Sequence, residues 1–122
     1  MTQRLIKQGL GWRIGWNSNT DIYRGLVGTD DWAIELTEAE FKDFCRLFEQ
    51  LALSMQQMSQ ELMDQERIAC EAESHLIWLE VEGFSNAYSL RILLCEGRRC
   101  EGYWPETVTK ELLQAVQTIL VF

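Results

Sequence analysis

WAIELTEAEF, residues 32–41, changes its period in the middle, and that change decides the fold. Trp32, Ile34 and Leu36 alternate with Ala33 and Glu35, the spacing of a strand with one buried face. Thr37 and Glu40 then supply the S/T-x-x-E capping box, and Leu36 is placed to pack on Phe41 as a hydrophobic staple. A strand therefore runs into a helix with no linker between them.

Downstream, Phe41, Phe44, Phe48, Leu51, Met55, Met58 and Leu62 recur at spacings of three and four, a helical seam. A helix from 38 to about 64 would reach roughly 40 Å, longer than a sheet of short strands requires. Two placements are open to it. The helix lies across its own sheet or breaks near Ser54, or it overhangs the sheet and offers Leu51, Met55, Met58 and Leu62 as a self-association seam, methionine being adaptable to partner surfaces.

Upstream, Leu10, Trp12, Ile14 and Trp16 alternate in a first strand, and residues 22–27 return after the turn-prone 17–21. Four more strands are expected at 67–72, 75–82, 86–95 and 99–103. TrpProGlu at 104–106 repeats, 68 residues on, the junction made by LeuThrGlu at 36–38. Pro105 suits a first helical position, and the last helix is expected to bury Leu112, Ala115, Val116, Ile119 and Leu120. The predicted fold is α+β: antiparallel strands with two helices, in the order three strands, helix, four strands, helix, a duplicated strands-then-helix unit.

A chain of 122 residues, 47% hydrophobic and with one proline, fits a single domain over 1–122. Its apolar runs are too short to span a membrane, and charges interrupt the segment where a signal peptide needs an apolar core, so a cytoplasmic location and unbridged cysteines at 45, 70, 95 and 100 are expected. The net charge of −8 is uneven: residues 1–29 hold four bases and one acid, while 30–82 hold fourteen acids and three bases. The acidic balance disfavours general attraction to nucleic acid or anionic membrane.

Chemistry-bearing patterns are sparse. Cys70 and His75, like Cys95 and Cys100, are five apart, too wide for the tight-turn pairs of zinc sites. His75 is the one histidine, with no nucleophile marked beside it, and Glu71, Glu73, Glu80 and Glu82 alternate as a solvated strand face does. Gly9, Gly11 and Gly15 miss the dinucleotide fingerprint by one residue. No metal, cofactor or catalytic group is therefore assigned, and a non-enzymatic protein is expected.

The strands do carry aromatic and basic residues suited to stacking bases and holding phosphates, with Arg13, Tyr23, Arg24, Arg98 and Arg99 the candidate nucleic-acid or anion contacts. Trp12 and Trp16 share a face with Ile14, which makes them core anchors first.

At GWRIGWN (11–17), WAIELTEAEF (32–41), ELMDQE (61–66), IWLEVEGF (77–84) and GRRCEGYWP (97–105), the chain resembles a family of small cyanobacterial proteins with no established activity. The fold this resemblance implies is similar to the single-stranded-DNA-binding domains of Whirly proteins and of positive cofactor four, strands followed by a helix, here doubled. The chain departs from the lysine-rich strands of that superfamily, with lysine at 7, 42 and 110. The expectation is a protein-interaction or regulatory module that binds a protein partner or itself as a homo-oligomer; the alternative is a single-stranded nucleic-acid binder.

Overall fold

The computed structural model describes residues 4–61, 66–95 and 97–119. Its elements run β1 (Arg4–Gly9), β2 (Trp12–Asn17), β3 (Gly25–Gly28), β4 (Ala33–Leu36), α1 (Glu38–Glu61), β5 (Ile68–Glu73), β6 (Ile77–Phe84), β7 (Ala87–Leu94), β8 (Glu101–Trp104) and α2 (Thr109–Thr118). Strands β1–β4 and β5–β8 form two antiparallel sheets, each in sequence order. The class is α+β, with two helices and two four-stranded sheets.

The first half holds four strands where the sequence predicts three. Leu10 and Gly11, read as the start of a strand, are the turn of a β1–β2 hairpin, and Gly11 takes a φ of 83° that suits the bend. β1 escapes a period-2 reading because Leu5 and Ile6, on opposite faces, are both exposed. The returning strand begins at Gly25 rather than 22, since residues 18–24 are tied into a loop: the Asn17 amide donates to Arg24 O and the Arg24 Nε to Thr20 O.

The capping box closes as expected, the Thr37 amide donating to Glu40 Oε1 at 2.8 Å and the Glu40 amide to Thr37 Oγ1 at 3.2 Å. α1 then runs through Ser54, whose hydroxyl donates to the Gln50 carbonyl without breaking the helix. Residues 105–108, expected in the last helix, form a turn before α2; no side chain caps its start at Val108. Thr109 instead donates its hydroxyl to the Tyr88 carbonyl, anchoring α2 to β7. Leu120, assigned to that helix, lies outside the described residues.

Both helices cover the inner faces of the two sheets and share one apolar core. Trp12, Ile14 and Trp16 face it from β2, as do Ile77, Leu79 and Val81 from β6. The halves are stitched at Trp104, whose indole donates to Gly28 O at 2.8 Å and whose ring lies 4.9 Å from Trp32. Gly102 has no side chain because the Trp32 ring occupies the space: an added Cβ would stand 2.2 Å from it.

Candidate functional site

The surface of interest starts from the register of sheet one. Ile6 opposes Gly15, Gly15 opposes Leu26, and Leu26 opposes Glu35, so these four form one row across the face turned away from the helices. Gly15 leaves a shallow floor between Ile6 and Leu26. A cleft of about 130 Å³ opens there, lined also by Arg4, Asn17, Thr20, Tyr23 and Arg24. Of the large apolar side chains left exposed, Ile6 at 52% and Tyr23 at 37% line it, while Leu5, Leu10, Ile22, Leu53 and Tyr103 do not. The hydrophobic pattern alone does not select Leu5 and Ile6. Their signal is two successive large apolar residues on a strand at the sheet edge.

The candidate anion contacts are largely engaged by the fold. Arg13 stands on the outer face, but its Nε donates to Thr29 O at 2.7 Å and its Nη2 to Trp32 O at 3.2 Å. Arg24 pairs with Glu38 at 3.1 Å. Arg98 reaches from the β7–β8 loop to Glu35 O and to the buried Glu40 carboxylate, and its guanidinium lies 4.6 Å from the Tyr23 ring centre. Arg98 thus completes the α1 capping box from the other half of the chain, which its position in a GlyArgArg turn does not reveal. Arg99, at φ 50°, is exposed and has no hydrogen bond or ion pair among the described residues. Tyr23, Arg24 and Arg98 come together at one end of the sheet-one face, while Arg13 lies at the other.

The self-association seam is turned inward. Leu51 is buried and Met55 is 0% exposed, both in the shared core, and the Met58 sulfur lies 3.6 Å from the Cys70 thiol of β5. α1 crosses the inner faces of both sheets, and of the seam Leu51 and Met55 are taken up by that core while Met58 keeps part of its surface. Leu62 lies outside the described residues.

The outer face of sheet two differs in charge. Glu71, Glu73, Glu80, Glu82 and Glu101 share it with Trp78, Leu93 and Tyr103. Arg67 pairs with Glu82 at 3.3 Å and Arg91 with Glu101 at 3.8 Å. His75 is exposed in the β5–β6 turn. Cys45 is buried, and that burial, helped by the Glu49 charge, pushes its thiol up to about 12. It is inert core filling rather than a nucleophile. Among the described residues no group of three histidine, cysteine or acidic side chains is placed to hold a metal ion, and no helix is long and apolar enough to cross a membrane.

Residues 7–119 match the family model of a domain of unknown function, DUF1818. The chain is also similar to a solved structure described as a protein of unknown function from the DUF155 family of Prochlorococcus sp. NATL2A, a cyanobacterium. The two are 30% identical, superpose with a TM-score of 0.88, and the alignment covers 94% of this chain and 98% of that one. No curated protein matches.

Proposed function

The chain belongs to the family of the domain of unknown function DUF1818, and from that premise we propose that it is a non-enzymatic module that binds protein chains at the outer face and open edge of sheet one. One observation carries this reading: among the described residues, five of the seven large exposed hydrophobic side chains, Leu5, Ile6, Leu10, Ile22 and Tyr23, lie in β1, the β1–β2 turn and the 18–24 loop, while Leu51 and Met55 of the helical seam are buried. A concentrated exposed apolar patch on a small protein marks an interaction surface. The test is capture of partners on immobilised wild type and on Leu5→Glu/Ile6→Glu from a nuclease-treated cyanobacterial lysate. Proteins retained by the wild type and lost by the variant are expected; equal retention by both would remove the reading.

A second reading, single-stranded nucleic-acid binding, draws support from the cleft that gathers Arg4, Asn17, Tyr23 and Arg24. The repeated order of four strands then helix supports viewing the chain as two like units, the arrangement implied by the Whirly resemblance. Against it stand the acceptors already holding Arg13, Arg24 and Arg98. Anisotropy of a labelled oligonucleotide, unchanged at low salt, would dismiss it; a rise that falls steeply with salt and is lost in Arg4→Ala/Arg24→Ala would support it.

A further inference from the structure

We propose that β1 pairs antiparallel with β1 of a second copy of the chain, centred on Ile6, so that two sheets join into one of eight strands. The inference deepens the protein-binding reading above and rests on it.

A sheet edge presents unpaired amide and carbonyl groups, and proteins blunt such edges with charge, brevity or cover. Three of the four edges here are treated that way. β4 is four residues long, and Arg98 occupies the Glu35 carbonyl. β8 is also four residues long. β5 exposes Glu71 and Glu73 along its length. β1, by contrast, has six residues and no carboxylate, proline or bulge in its pairing with β2. Its two cations leave the middle of the strand open: Arg4 stands at the first residue and lines the outer-face cleft, and Lys7 donates its ammonium to the Thr118 hydroxyl at the end of α2, drawn back onto its own chain.

The register follows from the side chains. Centring the two-fold on Ile6 sets Ile6 against Ile6, Leu5 against Lys7 and Arg4 against Gln8 of the second copy, so no like charges meet directly. The lysine stem can lie over Leu5. Centring on Lys7 would oppose two ammonium groups; centring on Leu5 would shorten the pairing. The Ile6 centre also joins the outer rows end to end: Glu35, Leu26, Gly15 and Ile6 meet the same four residues of the second copy in reverse order. Such an isologous contact closes at two chains, which is what keeps an apolar edge from recruiting further copies.

The experiment is sedimentation equilibrium on the wild type, Ile6→Lys, Ile6→Glu and an equimolar mixture of the two variants, with circular dichroism to verify the fold. The wild type is expected at twice the 14.3 kDa of one chain, each variant at the single-chain mass, and the mixture back at twice that mass because lysine then faces glutamate. A wild type at single-chain mass at about 100 µM, variants that stay double, or a mixture that stays single would each overturn the proposal. A single-chain wild type that still loses its lysate partners on substitution of Leu5 and Ile6 would overturn the second copy alone, leaving the protein-binding reading in place.

Discussion

Arg98 shows how a side chain from one half of the chain finishes a local motif in the other. Glu40 is 6% exposed and caps α1 from within, so its carboxylate depends on the guanidinium that reaches it. Arg98→Ala leaves that buried charge unmatched and is expected to cost about 2–4 kcal/mol, measured by urea denaturation. Arg98→Ala combined with Glu40→Gln should cost less than the two changes summed, since the uncompensated charge is then gone. Gly102 makes a steric point at the same scale. Gly102→Ala forces a methyl into the Trp32 ring and is expected to lose about 1–3 kcal/mol, visible as changed near-ultraviolet dichroism of the Trp32–Trp104 pair. Thiol reactivity should separate the cysteines: Cys95, exposed, reacts in the native protein, and Cys45, held near 12, reacts only on unfolding.

At the scale of the element, α1 is defined by which face it hides. Met55→Glu places a charge in the core and is expected to cost about 3–5 kcal/mol. Leu53→Glu, on the exposed face of the same helix, should shift the denaturation midpoint little. Equal effects would mean that the seam is not packed as described. The helix start also carries a pH signature. The hydrogen bond and charge of Lys42, together with Arg24, hold the Glu38 carboxyl below its ordinary 4.5. A carboxyl lowered by folding adds stability that is present above 4.5 and is lost as the pH falls through its folded value. Glu38→Gln should therefore flatten the acid side of the stability profile without altering the neutral fold.

Across the whole molecule, one core and the Trp104–Gly28, Trp32–Trp104 and Arg98–Glu40 contacts join the two sheets. Unfolding is expected to be one cooperative transition, with fluorescence and far-ultraviolet dichroism coincident; separate transitions would show that the halves fold independently. Charge is divided on the same scale, with acid concentrated on the outer face of sheet two and most of the large exposed apolar residues on sheet one and its loops. The two outer faces thus offer different chemistry, and the joining edge belongs to the less acidic one.

The sequence by itself determined the α+β class, the junction at Thr37, the capping box, and the inward faces of β2 and β6, because each is written in local spacing and in residues that touch close neighbours along the chain. It did not disclose β1, since an edge strand exposed on both faces has no buried period to read. Nor did it tell core from interface along Leu51, Met55 and Met58: an apolar stripe has the same spacing whether its own sheet or another chain covers it. The arginines divide for a similar reason. Their charge is visible in the sequence, but apart from Thr20, which holds Arg24 from four positions away, the acceptors of Arg13, Arg24 and Arg98 come from residues 14 to 63 positions away, and only the tertiary structure brings them within reach.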